Sequence, residues 1–407
     1  MSTFFECVVI GSGPAGLAAA YASARQGKRV AVIEKQHVPG MKLLASGGGR
    51  CNVANTLSGE ALAEKFGRQW RFLLPALQEF SGEKLLTFFE EHHLPLTLTD
   101  NFHYFPASGK ARDVLELFTG GIARYGGKIF CGEKVTELIP GETWQVITDK
   151  RSIECGKVIC ACGGRGYPPL GGSMAGYELV KKLGHTVTPL YPGMTGVICA
   201  DERVGNCAGI ALPDCIAEIA VKGKERLSAR GELLFTHRGF SAFAILDLAG
   251  KCAQLLEKNG SAALKIDFLP HISPAEIAEI FASWRQKGGT KHISTLLNQY
   301  LPKRVAELLL DGDDPEISRW QKNSAAQLAQ KLKGALFQLS GVEGWDKAMV
   351  TCGGITLKEV DPHSLESKLH PGLFFAGEML DVTGPCGGFN ITWALASGFL
   401  AAGLQNQ

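Results

Sequence analysis

Three kinds of residue in this chain could do chemistry: glycines spaced to admit a phosphate, carboxylates placed to take hydroxyls, and two groups able to move a proton. Gly11-Ser12-Gly13-Pro14-Ala15-Gly16 follows the apolar run Cys7-Val8-Val9-Ile10 and precedes an alanine-rich stretch. Gly11 allows a tight turn, Gly13 lets a pyrophosphate approach the backbone, and Gly16 permits close packing of helix on strand. The helix that starts with Pro14 and Ala15 offers free N–H groups and a positive dipole end. Glu34 closes the next apolar run, Val30-Ala31-Val32-Ile33, about 20 residues past the glycines, where an acid takes ribose hydroxyls. Cys51, in Ser46-Gly47-Gly48-Gly49-Arg50-Cys51-Asn52, is a candidate proton donor to a carbon that has just received a hydride. The competing reading is a packed thiol, because reactivity depends on its pKa. His237, in Phe235-Thr236-His237-Arg238-Gly239-Phe240-Ser241, is a second candidate acid or base. A hydrogen-bonded hinge is the equally open alternative.

A second cluster stands at the far end. Gly372-Leu373-Phe374-Phe375-Ala376-Gly377-Glu378 leads to Gly384-Pro385-Cys386-Gly387-Gly388-Phe389-Asn390 and another small-residue helix. A nicotinamide cofactor would need only the first cluster. The two together predict a longer dinucleotide carrying a reactive ring, FAD. Gly377 and Glu378 then serve its ribityl or pyrophosphate end. Gly387, Gly388, Phe389 and Asn390 open a helix whose N-terminus favours negative charge on the N1/O2 edge of the reduced ring. Gly48 and Gly49 bring N–H groups to the cofactor, and Arg50 offsets phosphate or substrate charge. Lys35, Lys42, Cys51, Asn52 and Gly163 complete the expected contacts, and Cys386 is either a neighbour of the ring or filler.

These residues need a scaffold. With 407 residues, 45% of them hydrophobic, the chain can bury a large core in two or three domains. Its net charge of +2 gives no global case for nucleic acid or membrane. The first strand begins almost at Met1, leaving no room for a signal peptide, and the apolar stretch from Phe389 to Leu404 is too short and too broken to span a membrane. The 12 cysteines show no metal-ligand spacing, which argues against zinc and disulfides and for a reducing cytoplasm. Cys160 and Cys162 are expected to share one strand face.

Alternating texture predicts a discontinuous nucleotide-binding domain. Residues 1–190 form its first part, with a Gly-rich loop from Glu34 to Asn55 and helices over 58–93, 112–125 and 173–183. Residues 191–272 read as β-rich, 273–334 as a helical insert, 335–348 as a return strand, and 349–407 as the second part. No second strand–GxGxxG–helix unit is evident. Lys222, Lys224, Arg226 and Arg230 form one basic group and Arg285, Lys287, Lys291, Lys303 and Arg304 another. A solvated surface is the default reading; RNA phosphates would need such groups near the cleft.

Five motifs in order carry a family resemblance: GSGPAGLAAA from Gly11, SGGGRCN from Ser46, FTHRGFS from Phe235, TCGGI from Thr351, and FFAGEMLDVTGPCGGFN from Phe374. The chain resembles the BaiN/RdsA-type NAD(P)/FAD-dependent oxidoreductases, which include aminoacetone-oxidase-like flavoproteins. The resemblance implies an α/β fold: a Rossmann-like FAD domain of the glutathione-reductase-like, two-dinucleotide-binding type, with an inserted β-barrel-like domain and helical cap. It also implies that Val135 meets the adenine through its backbone. One departure stands out. The family pattern FTHxGxSGP ends here in Ala242-Phe243 instead of Gly-Pro, which leaves the local backbone path in question.

The expected activity is an FAD-dependent oxidoreductase that takes electrons from transient NAD(P)H and passes hydride from flavin N5 to a conjugated acceptor. Uridine in ribosomal RNA is the leading substrate. Oxidation of a small, aminoacetone-like amine by oxygen is the alternative within the class, and a non-catalytic flavin-containing binding or assembly protein is the alternative outside it. Fold and cofactor do not choose among these, and nothing in the sequence fixes an oligomeric state.

Overall fold

The computed structural model describes residues 4–220 and 227–404. The chain divides into two compact units, Met1–Leu190 with Val350–Gln407, and Tyr191–Met349. Lys222, Lys224 and Arg226 lie outside the described residues.

The first unit is built on a seven-stranded sheet. Lys128–Cys131, Val30–Glu34, Phe4–Ile10 and Ser152–Cys160 run parallel, and Trp144–Thr148 and Val135–Ile139 extend the sheet antiparallel. Val8, Val9, Val30, Ala31 and Val32 are fully buried, as expected of parallel strands covered on both faces. The last strand, Leu373–Phe375, pairs parallel to the far half of Ser152–Cys160, with Leu373 opposite Val158 and Phe375 opposite Cys160. The chain thus leaves this sheet, builds the second unit, and returns to it.

Helix Pro14–Arg25 packs against the C-terminal helix Phe389–Ala402. Small residues permit this: a Cβ at Gly398 would fall 2.2 Å from the Ala15 carbonyl oxygen. Helix Ala111–Arg124 meets the other flank, where Gly121 gives room to the Tyr21 ring.

In the second unit, Val197–Cys199, Gly239–Ser241, Leu227–Phe235, Ala211–Ala220, Ala262–Asp267 and Ala335–Val342 close into a barrel in that order. Residues alternate in burial along Ala262–Asp267, the period-two signature of a strand with one face inward. Helices Pro274–Lys287, Ile293–Leu297, Lys303–Leu309 and Lys322–Gly334 follow, the first fixed by a Ser273–Glu276 capping box. Phe281, Trp284 and Trp320 form their aromatic centre.

Several local expectations are corrected. The β-rich stretch contains a 17-residue helix, Phe243–Asn259. Its buried Ala244, Ile245, Leu248, Ala249, Cys252 and Leu255 follow helical spacing. The presumed loop after Glu34 holds a short helix, Met41–Ala45, and a hairpin of Leu96–Thr99 with His103–Pro106 went unread. Cys162 lies beyond the end of its strand at Cys160, so the two thiols do not share a strand face.

The departure at Ala242 has a structural cost. Ala242 caps helix Phe243–Asn259 with φ 72° and ψ −175°, a region that glycine occupies freely and a Cβ does not. Backbone strain of this kind costs about 1–3 kcal/mol. Ala242→Gly should therefore raise unfolding stability by about 1 kcal/mol, read as a higher urea midpoint at unchanged slope. An unchanged or lower midpoint would show that the turn carries no strain.

Within the first unit, a buried network ties the segment from Val350 onward to the segment that ends at Leu190. His185 Nδ1 meets Glu359 Oε2 at 3.0 Å and its Nε2 meets Ser367 Oγ at 2.9 Å. This has the outline of a nucleophile triad, but Ser367 Oγ also accepts the Leu369 and His370 N–H groups. Its lone pairs are used, so it donates to Nε2 and the imidazole is held neutral. Burial, the largest influence, lowers the His185 pKa below its ordinary 6.5 against the opposing pull of Glu359, while His370 lowers it further. The sign follows: the unfolded chain takes the proton first, so the network's contribution is complete above about pH 6.5 and declines as pH falls toward the lowered folded value. The stability gap between the parent protein and His185→Gln should shrink from pH 8 to pH 5.5 in paired thermal melts. A gap that widens on acidification would refute the neutral assignment.

Candidate functional site

The site of the first unit starts at Gly11, whose φ of 99° turns the chain out of the first strand. A Cβ there would fall 2.4 Å from the Ala161 carbonyl oxygen, and one on Gly16 would fall 1.9 Å from that of Gly11. Gly13 behaves differently. It caps helix Pro14–Arg25 without a side-chain hydrogen bond, and a Cβ there would meet nothing within 4 Å. The open helix N-terminus, with Pro14 and Ala15 in its first turn, is therefore accessible to an anion, and its chemistry fits a diphosphate.

Glu34 is buried at the end of its strand. Its Oε2 accepts from Ser12 N–H at 2.8 Å and Ser12 Oγ–H at 2.6 Å, and its Oε1 accepts from Gln36 N–H at 2.8 Å. A carboxylate has roughly four acceptor sites, so Oε1 retains one for a hydroxyl. Lys35 donates to Ser173 Oγ at 2.7 Å, and partial burial lowers its pKa. Val135 opens a strand opposite Thr148 and is buried. Gly163 follows the strand ending at Cys160, with φ 70°.

The two ends of the chain meet through polar bonds. Glu378 Oε2 pairs with Lys42 Nζ at 2.8 Å, and its Oε1 accepts from Thr351 N–H at 2.7 Å. Thr351 Oγ1 in turn accepts the N–H groups of Arg165 and Gly166. Gly377 has φ 67° and lies against Ala15. Gly388 caps the C-terminal helix in the left-handed region. The Asn52 amide, with its nitrogen on the Ala54 carbonyl at 3.0 Å, accepts from Gly388 N–H at 3.2 Å. Asn55 donates to the Gly387 carbonyl at 2.8 Å. Asn390 is occupied locally: its amide accepts from Gly384 N–H and donates to Gly384 O, both at 2.9 Å. Phe389 packs between Phe66 and Phe102.

Gly47, Gly48 and Gly49 have φ of 56°, 66° and 87°, a run of left-handed backbone that glycine adopts at no steric cost. It leaves Gly48, Gly49 and Arg50 exposed, with Arg50 over the Phe105 ring at 4.7 Å. Cys51 follows at φ 61° and has no exposed surface. Burial pushes its thiol up to about 12. A donor is most effective near the working pH, so this environment favours the packed-thiol reading. His237 belongs to the second unit, exposed at the tip of a turn in which Thr236 Oγ1 accepts from Arg238 and Gly239 N–H.

The sequence reading missed Ser12, Asn55, Thr351 and the pair Asp100–His103. Ser12 was the x of a glycine pattern, Thr351 opened a motif without a role of its own, and Asn55 lies far in sequence from Gly387, which it braces. His103 Nδ1 lies 2.9 Å from Asp100 Oδ2, and a Cβ at Gly387 would fall 2.9 Å from His103 Nε2.

The sequence matches the family described as HI0933-like protein Rossmann domain over residues 5–404. It is 30% identical over 406 residues to a 3-dehydro-bile acid delta(4,6)-reductase of Clostridium scindens, covering 97% of each chain. It is 28% identical over 412 residues to a ribosomal RNA dihydrouridine synthase of Haemophilus influenzae, covering 99% of this chain and 98% of the relative. A flavocytochrome c3 fumarate reductase structure aligns with TM-score 0.50 at 15% identity, over 98% of this chain and 78% of that one, a likeness of fold. The glycine turn, the returning strand and the full-length match agree, and the chain belongs to the HI0933-like family, the BaiN/RdsA-type group of FAD-dependent oxidoreductases.

Proposed function

We propose that this protein reduces a carbon–carbon double bond conjugated to a carbonyl, drawing electrons from NAD(P)H, with uridine in ribosomal RNA as the leading substrate. One observation carries the reading. The two full-length relatives, a bile-acid Δ(4,6)-reductase acting on a 3-dehydro substrate and a dihydrouridine synthase, have names that describe the same change on different molecules. Each adds hydrogen across an alkene whose developing negative charge a neighbouring carbonyl can accept.

FAD, when bound and reduced, supplies the hydride. The chain's own residues then have distinct tasks. Gly11, Gly13, Pro14, Ala15 and Gly16 would hold the diphosphate on the open helix end, Glu34 the adenosine ribose through Oε1, and Val135 the adenine. Gly48, Gly49, Arg50, Cys51 and Asn52 would line the middle of the cofactor with Lys35, Lys42 and Gly163. Gly377 and Glu378 would meet its ribityl portion. Gly387, Gly388, Phe389 and Asn390 present the C-terminal helix end, whose dipole stabilises negative charge.

The test begins with acid extraction, which should release FAD and no FMN. Under anaerobic conditions the NAD(P)H-reduced protein should then be reoxidised by a uridine-containing ribosomal RNA transcript, with dihydrouridine appearing by mass spectrometry. Reoxidation by 2-cyclohexenone but not by RNA would keep the reaction class and exclude the leading substrate. Reoxidation by neither, with peroxide formed from aminoacetone in air, would replace this reading with the amine oxidase.

The environment of Cys51 generates a separate expectation. A thiol held at about 12 by burial is a poor nucleophile at neutral pH. Iodoacetamide at pH 7.5 should leave Cys51 unmodified in the native protein and alkylate it after denaturation, read by peptide mass spectrometry. Rapid native labelling would restore the reactive-thiol reading.

A further inference from the structure

We infer that His103, oriented by Asp100, is the residue that protonates the acceptor. The inference rests on the reductase reading above and assigns a group that the sequence motifs did not indicate. His103 begins the second strand of the hairpin Leu96–Thr99/His103–Pro106 and pairs with Thr99. The connecting residues Asp100 and Asn101 have φ of 47° and 59°. Asp and Asn tolerate this left-handed backbone better than other side chains do, and such strain tends to persist where surrounding structure enforces it. Here it folds the Asp100 carboxylate back onto His103, the first residue of the following strand. Asp100 Oδ1 accepts from His103 N–H at 3.1 Å, and its two oxygens meet His103 Nδ1 at 3.0 and 2.9 Å. That hydrogen bond, first among several influences, lowers the Asp100 pKa.

Nδ1 is therefore committed and the ring's direction is set. The other nitrogen, Nε2, makes no hydrogen bond among the described residues. It faces Gly387, where a Cβ would fall 2.9 Å from it. Gly387 is itself fixed, its carbonyl taken by Asn55 at 2.8 Å, and it immediately precedes the capping residue of the C-terminal helix. A donor nitrogen thus lies against the loop that presents the positive helix end, the part of the site expected to meet developing negative charge. The imidazole side chain is 21% exposed and the Asp100 carboxylate 62% exposed, so a spent proton can be replaced from solvent. Cys51 has neither this access nor an orienting partner of opposite charge.

The step balances as follows. NAD(P)H is oxidised to NAD(P)+ and its two electrons reach the acceptor as hydride, which forms a C–H bond at one alkene carbon. The alkene π pair moves toward the conjugated carbonyl as an enolate. The Nε2–H bond of protonated His103 breaks and a C–H bond forms at the second carbon. The neutral imidazole retains Nδ1–H on Asp100 and takes its next proton from water. Asp100 is a positioning residue: it holds the tautomer and the direction of the ring.

The experiment uses the FAD-loaded protein in anaerobic stopped flow. Reduction by NAD(P)H is followed first, then reoxidation by the ribosomal RNA transcript, by 2-cyclohexenone, and by oxygen, which needs no carbon protonated. His103→Gln should slow reoxidation by either alkene about 10²–10⁴-fold, the usual worth of a general acid, and leave flavin reduction and oxygen reoxidation within about twofold. Asp100→Asn should give a smaller loss with the same selectivity. A readout independent of turnover is carbethoxylation of His103 by diethyl pyrocarbonate, located by peptide mass spectrometry: the bound transcript should slow it. Alkene reoxidation by His103→Gln at the parental rate overturns the assignment, as does a selective defect found in His237→Asn and absent from His103→Gln. If the parent protein is reoxidised by neither alkene, the reductase reading fails and takes the assignment with it. That outcome is distinct, because it appears before any variant is made.

Discussion

The first unit depends on how closely two helix backbones can approach at Ala15. Gly398 of the C-terminal helix lies so near that a Cβ would press into the Ala15 carbonyl oxygen at 2.2 Å, and Gly377 leaves only 2.9 Å to the Ala15 side chain. A methyl group at either glycine would drive the fingerprint helix outward. Its open N-terminus at Gly13 would move with it, as would Gly377 and Glu378 in the short turn after the returning strand. The alanines and glycines of both helices are thus the means by which residues from opposite ends of the chain reach one locus. Close packing of this kind transmits displacement because protein interiors have few voids to absorb it.

Polar bonds then set what the approach brings together. Glu378 holds Lys42 with one oxygen and the Thr351 backbone with the other. Glu34 is shared between Ser12 and Gln36. Both acids were expected to spend themselves on a cofactor. Each is also a brace for the protein, with acceptor capacity left over. Preorganised acceptors of this sort do not have to be gathered when a ligand arrives, which lowers the ordering cost of binding.

How much of this was legible follows from where the constraint lies. Gly11 and Gly16 were readable because a positive φ at the first and a close approach to the Gly11 carbonyl at the second exclude any side chain, and Gly13 because its spacing completes the pattern. The family resemblance correctly implied the nucleotide-binding fold and a barrel in the second unit. The bracing roles of Asn55 and Thr351 were not readable, since their partners Gly387 and Glu378 are distant in sequence. The helix Phe243–Asn259 was lost inside a stretch assigned by its strand-like neighbours, although its own apolar spacing was helical. His103 could have been suspected from Asp100 three residues earlier, but only the left-handed turn between them makes that spacing a hydrogen bond. Ala242 shows the converse: a departure visible in the sequence whose meaning, a positive φ without glycine, needed the backbone.

The return of Leu373–Phe375 to the sheet also orders events during synthesis. Val158, Ile159 and Cys160 have Phe4–Ile10 on one side, and their other edge awaits a strand that follows the entire Tyr191–Met349 unit. At roughly 5–20 residues per second, translation takes on the order of ten seconds to cross that unit. Throughout that interval the nascent sheet presents a short apolar edge of the kind that recruits foreign strands. The barrel can complete its own closure in the same time, needing nothing from the residues still to come. The last strand is therefore a seal as well as a support: it closes an apolar edge that stays open until the end of the chain is made.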